Sequence, residues 1–348
     1  MVLRALAWDD IGCYNEYMPR RRYAKKRPVR DARFLIERAL RELPQFGGET
    51  VVDGKIRSIH EGMWHQNFCF WIDRAKNAST EQGYFLRLLD NRHEWQQGKE
   101  PRERLDREAE TLRVLRELEF DRPTPEFVCF VGEENERIGM IETALNGASL
   151  DKWNRDGLLV NIASVAASVH AQPVDRFPHL KRYESRKSHH QANLDQIDEH
   201  VFKEFEVARQ VRDWITDYQP SSADVALLHG DLLPQNILIF LGEYFDKQPS
   251  LSIVDWEMAC IGDPAYDLAI VSRGRKKVQQ AGSLKTFVDE YSAAGGTSVT
   301  VRDVRAYELL LCLGWLVEAW QEHQKPTLSG HAPTHYVQQL ESLLRRVR

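Results

Sequence analysis

The chain has 348 residues, of which 42% are hydrophobic and 28% are charged, a composition that fits a globular protein with two sizeable cores. Its formal net charge of −5 gives no overall attraction to nucleic acid or to an anionic membrane. The longest apolar run, residues 309–317, is far shorter than the roughly twenty residues that cross a bilayer, so we expect no membrane-spanning segment.

The start of the sequence, MVLRALAWDDIG, lacks the apolar core of a signal peptide, and we expect a cytoplasmic protein. The five cysteines show none of the spacings of a zinc site, and reduced, buried thiols fit that compartment. Seven Lys and Arg residues lie between positions 20 and 30, and we interpret them as a solvated basic arm. The alternative is that this arm binds nucleic acid, which predicts salt-sensitive association with DNA or RNA.

The first part of the chain predicts strands and two helices. Residues 31–43 form an amphipathic helix, since five apolar residues recur at helical spacing: Phe34, Leu35, Ala39, Leu40 and Leu43. The short apolar runs that predict strands are 51–60, 67–73, 84–89, 127–131 and 138–143. A second helix, 104–118, lies between the third and fourth of these runs. The pattern indicates an N-terminal lobe, residues 1–144, with an antiparallel sheet packed against a helix.

From residue 145 onward the pattern is mainly helical. The predicted helices are 158–170, 193–217, 301–322 and 333–346. His170 ends the first of them, which is apolar, and we interpret it as a packed core histidine. The two halves together predict an α+β fold, with a helical C-terminal lobe over residues 145–348.

The most informative segment is 227–267, which reads LLHGDLLPQNILIF and, after a polar loop, LSIVDWEMACIGDPAYDLA. Residues 237–240 and 251–254 predict two strands joined by that loop. If they pair with Ile237 opposite Val254, then Asn236 lies opposite Asp255, roughly 5 Å away at Cα. Two oxygen ligands at that separation can share a hard cation such as Mg²⁺.

Asp231 lies five residues before Asn236, close enough to act on a hydroxyl beside that metal. A carboxylate that accepts a proton, together with an Asn and an Asp that hold Mg²⁺, is the arrangement used for phosphoryl transfer. The structural alternative is that Asp231 caps a turn and Asp255 caps the end of a strand.

The motifs HGDxxxxN, IVDWE and GDPAYDLA, in this order, resemble the aminoglycoside phosphotransferase and choline kinase family. The resemblance implies a two-lobed, protein-kinase-like fold, ATP and Mg²⁺ as cofactors, and a small-molecule hydroxyl acceptor. It implies that Asp231 is catalytic, that His229 orients the catalytic loop and that Asp267 braces it. An antibiotic-resistance enzyme and a metabolic kinase both fit.

Two charged residues are candidates for the nucleotide phosphates. Arg87 lies within the apolar strand YFLRLLD, where kinase-like enzymes carry a lysine that binds phosphate, and a guanidinium can take that role. Helical phase places Glu108 inside the apolar stripe of helix 104–118, as an inward partner for Arg87. The alternatives are an arginine whose head reaches solvent and a surface glutamate beside the stripe.

Further nucleotide contacts are implied mainly by the resemblance. Gly62 and Asn67 lie at a hairpin tip that would face the phosphates. The crossover segment from Glu142 to Ala144 would bind adenine through backbone groups.

The acceptor is left open. Trp315, Glu318 and Glu322 share a helical face that would suit a polyamine or a quaternary ammonium, but packing of the tryptophan beside solvated glutamates explains the same pattern. A catalytically silent nucleotide-binding scaffold is the rival function, and Arg87 in place of lysine is its only support.

Overall fold

The computed structural model describes residues 28–42, 46, 50–51, 56–59, 65–73, 82–89, 100–132, 138–152, 158–240, 250–271, 283–323 and 332–348. The chain divides into two compact units. The first unit comprises Met1–Leu105 and Pro125–Leu145, and the second comprises Asp106–Thr124 and Asn146–Arg348. The lobe boundary between residues 144 and 145 remains a prediction.

The first unit contains helix α1, Pro28–Glu42, and six strands of one antiparallel sheet. The strands are β1 Thr50–Val51, β2 Arg57–Ile59, β3 His65–Asp73, β4 Gln82–Leu89, β5 Phe127–Val131 and β6 Gly139–Thr143. Their order is β1-β3-β4-β6-β5, and β2 also pairs with β3. Because side chains alternate along a strand, Phe68, Phe70 and Ile72 of β3 all point toward the core that α1 covers.

The buried face of α1 differs from the predicted one at Phe34. The helix buries Ala32, Leu35, Ile36, Ala39 and Leu40, whereas the Phe34 side chain is 57% exposed. Phe34 and Leu35 are adjacent, about 100° apart around the helix, so the face centred on Leu35 and Ile36 turns Phe34 outward. The predicted basic arm, residues 1–30, lies outside the described residues except for its last three, which begin α1.

The second unit is mainly helical, as predicted. Helix α2, Glu100–Glu117, contributes its residues from Asp106 onward. The other helices are α3 Leu158–His170, α4 Arg186–Leu194, α5 Glu199–Glu204, α6 Glu206–Asp217, α7 Ala265–Ile270, α8 Leu284–Ala293, α9 Val301–His323 and α10 Pro333–Val347. Helix α9 packs against α4, α7 and α10. Among the helices that the structure describes, none is both long and apolar enough to cross a membrane.

The segment predicted to be helical over residues 193–217 is helical but not continuous, because the chain forms the end of α4 and then α5 and α6. Asp198 ends the intervening loop and accepts a hydrogen bond from the His200 N–H, which starts α5. Phe205 is extended and separates α5 from α6. A local capping side chain therefore interrupts a sequence whose charge and apolar pattern is otherwise continuous.

The described part of the second unit also contains five short strands: β7 Ala148–Ser149, β8 Ala226–Leu228, β9 Ile237–Phe240, β10 Ser250–Ile253 and β11 Cys260–Gly262. They form the ladder β10-β9-β7 and the pair β11-β8, both antiparallel. The predicted pairing of β9 with β10 is confirmed, but its register is wrong by one residue. Ile237 lies opposite Ile253, not Val254.

Three cysteines confirm the prediction of buried, reduced thiols. Cys69, Cys129 and Cys312 are free and buried. Burial raises the pKa of each of these thiols to about 12, so all three stay protonated at neutral pH.

His189 connects α4 to the segment after β11. It is 3% exposed, its ring stacks on Tyr183 with centroids 4.1 Å apart, and its Nδ1 accepts the Asp263 N–H at 3.1 Å. Burial, with a smaller contribution from His190, lowers the pKa of His189 to about 3. Since the unfolded chain takes up a proton near pH 6.5 and the folded protein does not, stability should fall as pH drops below 6.5.

We expect His189 to remove about 2 kcal/mol from the free energy of unfolding between pH 7 and pH 5. The measurement is urea denaturation at both pH values. His189→Asn is the matched control, because the Asn carbonyl can accept the Asp263 N–H but does not titrate. The variant should lose about 2 kcal/mol less than the wild type over this range, and equal losses would contradict the assignment.

Candidate active site

The loop that follows β8 begins with a glycine that the backbone requires. Gly230 adopts φ +81°, in the left-handed region. A Cβ added to Gly230 would lie 2.1 Å from the Met258 carbonyl oxygen. The segment around Met258 therefore lies directly against the loop, and the glycine permits that approach.

We expect Gly230→Ala to destabilise the protein by about 3 kcal/mol or more, because it adds a backbone clash to the left-handed conformation. Gly295→Ala is the matched control, since Gly295 has φ +86° and open space around its Cβ position. Gly295→Ala should destabilise the protein only through the left-handed backbone conformation of alanine, by about 1 kcal/mol. Urea denaturation measures both, and equal costs would show that the close contact with Met258 does not matter.

His229 is fully buried and uses both of its ring nitrogens. Nε2 donates to the Val254 carbonyl at 3.0 Å, and Nδ1 accepts the Asp231 N–H at 3.3 Å. Its ring lies 4.8 Å from that of Trp256, centroid to centroid. Both ring nitrogens of His229 are therefore bound to backbone groups, and its predicted role in orienting the loop stays a prediction.

Asp231 and Asn236, predicted to act together, are brought into direct contact. The Asn236 Nδ2 donates to the Asp231 carbonyl at 2.8 Å and to its Oδ2 at 3.1 Å. Asn236 is buried and Asp231 is half-buried. Because Nδ2 is committed to Asp231, the Asn236 Oδ1 is the atom that can bind a cation.

Asp255 reaches the site by a different backbone path from the predicted one. The corrected register puts Asn236 opposite Val254, whose N–H donates to the Asn236 carbonyl at 3.0 Å. Asp255 comes after this bond and adopts φ +73°, in the left-handed region. A non-glycine residue there costs about 1 kcal/mol and is concentrated at functional sites. The predicted cross-strand pairing of Asn236 with Asp255 is therefore wrong.

A cluster of three carboxylates surrounds this turn. One oxygen from each of Glu108, Asp255 and Glu257 lies within 4.8 Å of the other two. Such a set of oxygen donors suits a hard cation such as Mg²⁺. Sequence reasoning missed Glu257, although its position two residues after Asp255 was a usable signal.

Helix α2 is tied to the same turn. The Glu108 Oε1 accepts the Trp256 N–H at 3.0 Å, and the Arg107 guanidinium donates to the Glu257 carbonyl at 2.8 Å. Glu108 is fully buried, which confirms its inward direction as predicted from helical phase. Arg87 belongs to the first unit and Glu108 to the second, so their pairing stays a prediction.

The Asp267 carboxylate binds the backbone of the loop that follows β8. Its Oδ2 accepts the His229 N–H at 2.8 Å and its Oδ1 accepts the Gly230 N–H at 2.9 Å. The carboxylate is fully buried. The two residues before Asp231 are therefore fixed by one side chain of α7.

In the first unit, three predicted nucleotide residues share one face of the sheet. Asn67 lies directly opposite Arg87, and Glu142 lies opposite Phe85, two residues from Arg87. This face is opposite to the one that α1 covers. The Ala144 N–H donates to the Gly83 carbonyl at 2.9 Å, so a contact with adenine at Ala144 would use its carbonyl group. Gly62 lies outside the described residues.

Comparisons with known proteins identify the family and the fold. The profile of a family described as "Phosphotransferase enzyme family" matches residues 55–310. A comparison with curated proteins gives no match. The solved GDP and kanamycin complex of APH(2")-IIia superposes with a TM-score of 0.63 at 16% identity, covering 88% of this chain and 97% of that chain.

Two further solved structures are similar. The GDP complex of wild-type aminoglycoside 2'-phosphotransferase-IIIa gives a TM-score of 0.58 at 15% identity, covering 92% of this chain and 98% of that chain. A thermostable mutant of APH(4)-Ia, in complex with ADP and hygromycin B, gives 0.57 at 17% identity, covering 89% and 98%. At these identities the likeness shows the fold.

The fold is therefore the α+β, kinase-like fold of the aminoglycoside phosphotransferases. The chain belongs to the phosphotransferase enzyme family, which matches most of its length, and it is a small-molecule phosphotransferase.

Proposed function

We propose that this enzyme transfers the γ-phosphate of ATP to a hydroxyl group of a small molecule, with Asp231 as the residue that accepts the hydroxyl proton. The observation that carries the proposal is the contact between Asn236 and Asp231, which fixes the carboxylate beside a potential cation ligand. Phosphoryl transfer depends on such positioning and on neutralising the phosphate charge.

The donors at the turn fit a bound magnesium ion. The Oδ1 of Asn236 and the carboxylate of Asp255 would hold it, and Glu257 offers a further oxygen in the same cluster. When bound, Mg²⁺ supplies positive charge against the phosphates of the nucleotide. Asp231 would orient the acceptor hydroxyl and take its proton as the phosphate is transferred.

On the nucleotide side, Arg87 would bind the α and β phosphates and pair with Glu108. Asn67, which faces Arg87 across the sheet, and Gly62 would lie near the phosphates. The backbone from Glu142 to Ala144 would bind the base. The structural neighbours named above bind GDP or ADP, which supports nucleotide use without deciding between ATP and GTP.

The acceptor class is proposed from the neighbours. Their complexes contain kanamycin and hygromycin B, so we propose an aminoglycoside-like or similarly hydroxylated acceptor, with antibiotic resistance as one biological role. A choline-like acceptor is the second version. Its support from Trp315 is weak, because that half-buried ring lies beside Tyr336, with centroids 6.2 Å apart.

The test is a phosphorylation screen with the purified chain, MgATP or MgGTP, and a panel that contains kanamycin, hygromycin B, choline, ethanolamine and simple sugars. Product formation followed by ³¹P NMR would identify the acceptor and the modified oxygen. Slow turnover of an antibiotic beside fast turnover of a metabolite would favour a metabolic kinase. Nucleotide binding without transfer to any member of the panel would favour a catalytically silent scaffold.

A further inference from the structure

A buried chain of hydrogen bonds links helices α3 and α8 to the loop that contains His229, Gly230 and Asp231. His170, at the end of α3, lies with its Nε2 3.2 Å from the Asp267 Oδ2 and its Nδ1 2.8 Å from the Tyr291 hydroxyl. Tyr291 in turn accepts the Thr297 N–H at 3.1 Å and lies 3.0 Å from the Thr297 hydroxyl. The side chains of His170 and Asp267 have no exposed surface, and Tyr291 is fully buried.

The donors and acceptors fix the direction of this chain. The Asp267 carboxylate only accepts, so the His170 Nε2 must carry a proton and donate it. In a neutral imidazole Nδ1 is then an acceptor, and the Tyr291 hydroxyl must donate to it. Burial raises the pKa of Tyr291 to about 12, so the hydroxyl keeps its proton at neutral pH. Asp267 therefore sets the tautomer of His170, and Tyr291 donates to the ring nitrogen that this tautomer leaves unprotonated.

The same carboxylate oxygen serves both His170 and the catalytic loop. The Asp267 Oδ2 accepts from His170 and from the His229 N–H, while Oδ1 accepts from the Gly230 N–H. A carboxylate with one bond fewer is held less firmly about its last torsion, and the loop that depends on it would be held less firmly too. Displacement of a reacting group by about 1 Å can lower a rate roughly a hundredfold.

We propose that His170 is a positioning residue for phosphoryl transfer. It acts through Asp267, by holding the carboxylate in the rotation that fixes His229 and Gly230 and so places Asp231. The assignment rests on the proposed function. It gives a role to a histidine whose sequence position indicates only core packing, and it links α8 and the Thr297 loop to the catalytic loop.

Two substitutions at this position separate positioning from packing. His170→Gln places an amide nitrogen about where Nε2 lies and keeps the donor to Asp267. His170→Asn reaches only as far as Nδ1, so it keeps the contact with Tyr291 and loses the one with Asp267. Both variants replace a buried ring by a smaller amide, and thermal unfolding of each monitors that shared structural cost.

The readouts are the rate with MgATP and the fastest acceptor of the panel above, phosphate release from MgATP alone, and amide hydrogen exchange of the full-length protein at His229 and Gly230. His170→Asn should lower kcat about a hundredfold, with KM for ATP changed less than threefold, and should speed exchange at least tenfold. His170→Gln should stay within about fivefold of wild type in kcat and exchange.

Equal losses of kcat in the two variants, or unchanged exchange at His229 and Gly230 in His170→Asn, would overturn the proposal. A wild type that transfers no phosphate, to the panel or to water, would instead overturn the proposed function. Hydrogen exchange would still show in that case whether His170 holds the loop, so the two failures are distinguishable.

Discussion

Replacing Asp231 with asparagine is expected to lower the rate of phosphate transfer about a thousandfold, while nucleotide affinity changes less than threefold. The Asn side chain has the same size, and its carbonyl oxygen can still accept the Asn236 amide, as the Asp231 Oδ2 does at 3.1 Å. The loop should therefore keep its shape, and the variant would lack only a group that can accept the acceptor's proton.

The measurement is single-turnover transfer at saturating acceptor, together with calorimetric titration of MgADP. Asp175→Asn is a matched control, because it also removes one carboxylate charge, at a side chain that is 87% exposed and forms an ion pair with the exposed Arg182. The control should transfer phosphate at the wild-type rate. Turnover near wild type in Asp231→Asn would refute the role of Asp231 as the proton acceptor.

Predictions from the sequence were most accurate where the local pattern of apolar and polar residues determines the structure. Helix α3 begins at Leu158 and ends at His170, as predicted from its apolar run. Glu108 points inward because the 3.6-residue period of the helix places it on the same buried face as Leu105, Leu112 and Leu115. Asp231 and Asn236 meet because only a short turn, containing Pro234, separates them.

The register of the β9–β10 ladder could not be obtained in this way. The runs ILIF and LSIV are apolar on both faces, apart from Ser252, so alternation does not distinguish one pairing from the next. A shift of one residue moved Asp255 out of the ladder and into a left-handed turn. Residue 255 is neither glycine nor asparagine, so its residue type did not predict a left-handed conformation.

Contacts between distant parts of the chain were the second kind of failure. The partners of His170 lie 97 and 121 residues further along the sequence, so its neighbours in the chain indicated only a buried histidine. The bonds from Glu108 to the Trp256 N–H and from Arg107 to the Glu257 carbonyl are equally non-local. Such contacts depend on the packing of whole elements, which a local pattern does not encode.

Replacing Asp255 with asparagine is expected to weaken binding of MgADP about a hundredfold and to leave binding of ADP without Mg²⁺ unchanged. Asparagine is chosen because it tolerates the left-handed φ of +73°, whereas alanine would add about 1 kcal/mol of backbone strain. The effect should therefore report the lost charge on a metal ligand. Calorimetric titration with and without Mg²⁺ measures both affinities.

Glu257→Gln distinguishes the two ways in which the carboxylate cluster can hold a cation. The Arg107 bond involves the Glu257 backbone carbonyl, so this substitution leaves it in place. If Glu257 binds Mg²⁺ directly, its variant should lose affinity for MgADP as Asp255→Asn does. If Asn236 and Asp255 suffice, it should bind MgADP within about threefold of wild type. Unchanged Mg²⁺ dependence in Asp255→Asn would contradict the assignment of Asp255 as a metal ligand.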